Sequence, residues 1–160
     1  MRTFLVLVSV LALSLVTSGL LLAQSNPAIG TWKLNPAKSK YSSGETGSKS
    51  RTRTVEAQGD GFKITVEGVA GDGSHIAYSY TTKYDGKDSP ISGTGPDGAD
   101  TIAAKRVDAN TTTAIEKKAG KVVVTTRTVV SKDGKVTTVT SKGTDKQGQP
   151  TTTTTVYEKQ

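Results

Sequence analysis

The dipeptide Asp-Gly occurs at Asp60-Gly61, Asp72-Gly73, Asp85-Gly86, Asp97-Gly98 and Asp133-Gly134. Both residues tolerate positive φ, which tight β-hairpin turns require, so Asp-Gly between extended runs is a strong short-range signal for a chain reversal. The first four are spaced by 12, 13 and 12 residues, and weaker turn signals continue the rhythm at Asp108-Ala109-Asn110, Ala119-Gly120 and Gln147-Gly148. A reversal at that interval leaves room for strands of about eight to ten residues, each pairing with the one before it.

The segments between the turns suit that reading. Thr dominates, with Val and scattered Tyr, and these residues favour extended backbone. No window of helical length places apolar residues at i, i+3, i+4 and i+7. Strands are predicted over 29–35, 50–58, 62–70, 74–84, 101–108, 112–118, 121–131, 135–143 and 151–158, with a poor one over 90–94. Pro90 and Pro96 remove ladder donors there, so that segment should be short, at a sheet edge, or absent. Residues 36–49, rich in Ser, Gly and Lys, read as a loop with at most one helical turn. Phe62, Ile64 and Val66 share one face, as do Ile76, Tyr78 and Tyr80, while 151–155 is all Thr and offers no contrast between faces.

Large apolar side chains are scarce in the β region, where the aromatics are Trp32, Tyr41, Phe62, Tyr78, Tyr80, Tyr84 and Tyr157. A two-sheet sandwich needs a dense core from both inner faces. A closed barrel removes exposed edges and can enclose water or a ligand where a sandwich needs side chains. The fold expected is therefore all-β: an antiparallel up-and-down meander of about 8–10 strands closed into a barrel.

The first 23 residues differ from the rest. Arg2 precedes an apolar run from Phe4 to Val16, broken by Ser9 and Ser14, and the segment ends Leu21-Leu22-Ala23. This is the layout of a secretory signal peptide, with cleavage expected after Ala23 or near Ser18 and Gly19. An uncleaved anchor is the competing reading of an apolar run of that length. The expected organisation is a signal peptide over 1–23 and one barrel domain over 24–160, placed in the periplasm or outside the cell. After cleavage no transmembrane segment is expected.

The chain contains no Cys and a single histidine, His75. Disulfides and thiolate chemistry are thereby excluded, and a nucleophile–His arrangement would have to run through Ser or Thr and His75. No Gly-x-Ser-x-Gly elbow is present. Many Asp residues sit in turns, where their work is backbone geometry, and Glu56, Glu67, Glu116 and Glu158 on strands are expected to pair at the surface. Asp85, Asp88, Asp97 and Asp100 match no EF-hand spacing. Net charge is +7, with both signs interspersed along the chain. That describes a solvated surface rather than the basic stripe with interleaved aromatics of a nucleic-acid binder. No enzyme activity, cofactor, metal or nucleic-acid partner is expected, and the domain should be a monomer.

Arg53, Arg106 and Arg127 fall within strands rather than at turns. Arg106 shares a face with Ile102 and Ala104, and Arg127 with Val123 and Val129. An arginine so placed is at the surface, ion-paired, or facing a wet cavity where it meets an anionic group. These three, with Tyr78, Tyr80 and Tyr157, are the candidate ligand-binding residues.

Two ends of the β region carry a resemblance. The first strand reads Gly30-Thr31-Trp32-Lys33-Leu34 and the last closes Val156-Tyr157-Glu158-Lys159. This resembles the calycins, the lipocalins and fatty-acid-binding proteins, which open with Gly-x-Trp. It is also similar to secreted lipocalin-like proteins of bacteria, which share Lys-Arg-x-Asp (here Lys105-Arg106-Val107-Asp108) and a Ser-Lys-Asp-Gly-Lys hairpin (here Ser131 to Lys135). The resemblance implies a barrel whose end Trp32 plugs, and a small hydrophobic or amphipathic ligand inside. It also implies departures. Thr155 stands where fatty-acid-binding proteins place the arginine of their carboxylate clamp, and 36–49 holds no counterpart of their helical lid. The expected function is an exported, non-enzymatic domain binding a small, partly apolar molecule in the barrel. The alternative is a ligand-free structural or interaction domain of the cell envelope.

Overall fold

The computed structural model describes residues 26–42, 46–145 and 147–160. The expected signal peptide lies outside the described residues. The strands are β1 (Gly30–Leu34), β2 (Ser50–Gln58), β3 (Gly61–Val69), β4 (His75–Thr82), β5 (Asp85–Pro90), β6 (Ser92–Gly93), β7 (Thr101–Arg106), β8 (Thr111–Lys118), β9 (Lys121–Val130), β10 (Val136–Thr144) and β11 (Pro150–Lys159). They form one eleven-stranded antiparallel sheet in the order β5-β7-β8-β9-β10-β11-β1-β2-β3-β4-β6. The last long strand pairs with the first, Leu34 opposite Tyr157, and this pairing curls the meander into a nearly closed barrel.

Most turns follow the chemistry written in the sequence. The carboxylates of Asp72, Asp108, Asp133 and Asp145 each accept from the backbone N–H two residues on, at 2.8–3.1 Å. These are Asx turns, in which the side chain mimics a backbone reversal. The β8–β9 hairpin turns on two residues, Ala119 and Gly120, with φ of 48° and 77°. Positive φ at both central positions matches the right-handed twist of the flanking strands.

Two Asp-Gly pairs behave differently from expectation. Asp85-Gly86 is not a hairpin turn: it opens β5, which pairs with β7 through a bulge between Asp85 and Asp88. Asp97-Gly98 lies in a 3-10 turn, Pro96–Gly98. The doubtful segment 90–94 resolves into the end of β5 and the two-residue β6. Both are terminal strands of the sheet, where a proline breaks no ladder on its free side. No ladder joins β4 to β5. The segment carrying β6 lies across that seam, held to β4 by Tyr78 opposite Gly93 and Ser79 opposite Ser92.

Barrel closure sorts each strand into an inner and an outer face. Across the sheet, Trp32, Arg53, Val66 and Tyr78 form one inner row, and Val55, Ile64 and Tyr80 the next. The apolar core gathers at one end around Trp32, Val55 and Ile64, each at most 2% exposed, with Leu34, Val66, Val130, Val139 and Tyr157 packed about them. Each such burial contributes roughly 1.5–3 kcal/mol. The all-Thr segment acquires its faces from pairing: Thr155 sits opposite Val139 and is buried, while Thr154 turns outward.

Candidate functional site

Beyond the packed end, the barrel encloses a cavity of about 600 Å³, within the range of small-molecule sites. Trp32 lies in the packed end, beside a separate small void. The indole is 1% exposed and its Nε1 donates to the Ala28 carbonyl at 2.8 Å. The Lys159 ammonium stands 5.1 Å from the ring centroid. Where β1 stops, residues after it continue the pairing with β11, through Asn35 to Val156 and Lys40 to Thr154. This carries Tyr41 to the cavity wall, where its ring lies against Gly47 so closely that a Cβ there would clash.

The polar wall is built from four strands. β2 contributes Arg51 and Arg53, two residues apart and so on one face; β4 contributes Tyr78 and Tyr80; β11 contributes Tyr157; β8 contributes Glu116. Arg51 Nη2 donates to Ser48 Oγ at 2.8 Å, and Tyr157 is close enough to favour its charge. Its Nε has no partner among the described residues. Arg53 makes no side-chain hydrogen bond among the described residues; its surroundings are Tyr80, Tyr84, Tyr78 and Tyr157. Burial works against both guanidinium charges, but the neighbouring tyrosines outweigh it and hold both above the ordinary arginine value. Burial drives the Tyr80 phenol up to about 12 against the pull of Arg53, and drives Tyr78 higher still. Both therefore present neutral hydroxyls to the cavity at physiological pH.

Glu116 departs most from expectation. It is 6% exposed and faces inward rather than pairing at the surface. Oε1 accepts from Thr126 Oγ1 at 3.0 Å, and Oε2 has no partner among the described residues. Burial, helped by nearby Asp97 and opposed by the Thr126 hydroxyl, Arg53 and Arg51, pushes its carboxyl up to about 7.

Of the candidates marked in the sequence, Arg53, Tyr78, Tyr80 and Tyr157 come together on this wall. Arg106 lies at the packed end instead. Its guanidinium stands 5.2 Å from the Tyr84 ring centroid and 6.0 Å from that of Phe62, beside a void of about 10 Å³ next to Trp32. Such a void holds about one water. Arg127 is a correction. It is exposed on the outer face, opposite Thr113 and Thr140, and does not reach the cavity. A bulge shifts the register so that Glu116 pairs with Val124 and Lys117 with Val122. Past that bulge β9 pairs regularly, its inner face being Val124, Thr126, Thr128 and Val130, and Val129 points outward with Arg127.

Three cavity residues escaped the sequence reading. Arg51 carried a usable signal, since Arg51 and Arg53 share strand parity. Tyr41 sits in a loop with no periodicity to orient it. Glu116 alternates with Ala114 and Thr112, small or ambivalent residues that mark neither face. Of the acidic residues at 85–100, Asp97 lines the cavity, Asp88 pairs with Lys117 at 2.8 Å, and Asp100 Oδ2 accepts from the Ala119 N–H at 2.7 Å.

No family model and no curated protein matches the chain. Among solved structures it is similar to zebrafish ileal bile acid-binding protein complexed with cholic acid, with a TM-score of 0.52 and 13% sequence identity over 84% of this chain and 99% of that one. With the strand order of the nearly closed antiparallel sheet, that likeness identifies the fold of this chain as calycin-like.

Proposed function

We propose that this barrel is an exported, non-enzymatic carrier that binds one small amphipathic molecule by its anionic group. The observation that carries the reading is Arg53. A permanent cation inside a protein, with no hydrogen-bonding partner of its own, is strongly disfavoured, and this one faces a cavity large enough for a ligand. An acid group from the ligand supplies the missing partner. The phenols of Tyr78 and Tyr80 add donors, and Ile76, Ile102 and Val124 line space for an apolar body. The zebrafish protein of similar fold holds cholic acid. The apolar opening segment, with Arg2 before it, supports placing the carrier outside the cytoplasm.

Native mass spectrometry of protein purified from its source tests this. The expected result is a mass above that of the chain, released by organic solvent as an acid. Repeated recovery of empty protein, from cells grown under varied conditions, contradicts it.

A further inference from the structure

The cavity holds one polar group that an anionic ligand head does not satisfy. Among the described residues Glu116 is the one carboxyl more than nine-tenths buried. Thr126 occupies one of its oxygens and the other has no partner. Its cross-strand neighbours on the inner face, Ile102 and Val124, offer no hydrogen bond. Arg51 and Arg53 are near enough to act on its charge, but neither bonds to it. A buried polar atom left without a partner is expensive, and where one persists in a cavity wall it points to a group delivered from outside the fold.

The two unmet needs lie at different heights. Arg53 belongs to the row that contains Trp32, next to the packed end. Glu116 belongs to the row of Ile102 and Val124, on the side of the turn at Pro96–Gly98. We propose that the ligand is a hydroxylated acid, its anionic group on Arg53 near the packed end and a hydroxyl on its body paired with Glu116. This rests on the anion-binding reading above and adds a second polar contact to it. A hydroxyl suits the position better than an ammonium does. It donates to a carboxylate and accepts from a carboxylic acid, so it serves Glu116 in either protonation state, whereas an ammonium serves only the ionised form.

The test is a calorimetric titration of the full chain with dodecanoate and with its 2-, 3- and 12-hydroxy derivatives. At least one hydroxy acid should bind about tenfold tighter than dodecanoate. Glu116→Gln, which keeps an acceptor and a donor, should retain that preference. Glu116→Leu should abolish it, and the variant's far-UV circular dichroism and cooperative urea unfolding show that it is folded. The wild-type series decides the matter without either variant: equal affinity across it overturns the hydroxyl contact and leaves the anion site standing. A preference that survives Glu116→Leu overturns the assignment to Glu116. Failure of every acid to bind overturns the anion site and this inference with it.

Discussion

Arg53 lies directly opposite Trp32 on the neighbouring strand, so a single register position sets the half-buried cation of the cavity beside the buried indole of the packed end. The pairing has an energetic consequence. The apolar end of the barrel supplies the stability, and the row that begins with its largest side chain spends part of that stability holding a guanidinium without a hydrogen-bonding partner.

Arg53→Met should therefore separate stability from binding. A guanidinium without a hydrogen-bonding partner carries a desolvation cost that an apolar side chain of similar length does not. The ligand-free variant should unfold at a higher urea midpoint than the wild type. A lower midpoint would mean that the guanidinium is satisfied in the empty barrel.

Trp32→Ala should remove the largest side chain of the packed end. Truncating a buried aromatic costs about 3–5 kcal/mol, and the Ala28 carbonyl also loses its donor. Trp32→Phe should cost less than half as much, because most of the packing survives. Urea unfolding of both variants checks the order.

The buried carboxyl makes stability depend on pH. Glu116 titrates near 7 in the folded state against an ordinary value of 4.5, with Asp97, Arg53 and Arg51 as the charged groups acting on it. The folded state therefore holds a proton that the unfolded chain has already released between those values. Its contribution is fully present below about pH 4.5 and is lost as pH rises through about 7, a change on the order of 3 kcal/mol. Urea midpoints measured from pH 5 to 8 should fall for the wild type by more than for Glu116→Gln. Parallel profiles would show that the carboxyl is ionised throughout.

The β8–β9 turn offers a local gain. Ala119 holds φ at 48°, a conformation that costs a residue with a Cβ roughly 1 kcal/mol and costs glycine nothing. Ala119→Gly should raise the unfolding midpoint without altering affinity for any acid.

The fold was legible in this sequence because its turns are chemical. Asp72 and Asp133 turn the chain where their carboxylates can reach the backbone two residues on, and that spacing gave the meander. Asp85 and Asp97 carry the same dipeptide yet serve a bulge and a 3-10 turn, since local turn preference does not say whether a partner strand waits on the far side. The site was legible where alternation was sharp. Tyr78 and Tyr80 share a face with Ile76, and that face proved to be the inner one. It was illegible where alternation was absent. The run Val122-Val123-Val124 has no polar residue to set its phase, and the regular pairing of β8 with β9 leaves Arg127 outside and Glu116 inside. Which face turns inward is settled by pairing between strands, and one strand's composition does not display it.

The central claim is that Arg53 holds an anion inside the barrel. The direct measurement is the affinity of the wild type and of Arg53→Met for dodecanoate and for dodecanol, which share a tail and differ in charge. A charge-assisted hydrogen bond to a guanidinium contributes about 1.5–3 kcal/mol, or roughly tenfold to a hundredfold in affinity. The wild type should prefer dodecanoate by that factor, and Arg53→Met should lose the preference while retaining dodecanol. Equal affinity of the wild type for acid and alcohol, or a preference unchanged by Arg53→Met, would contradict it.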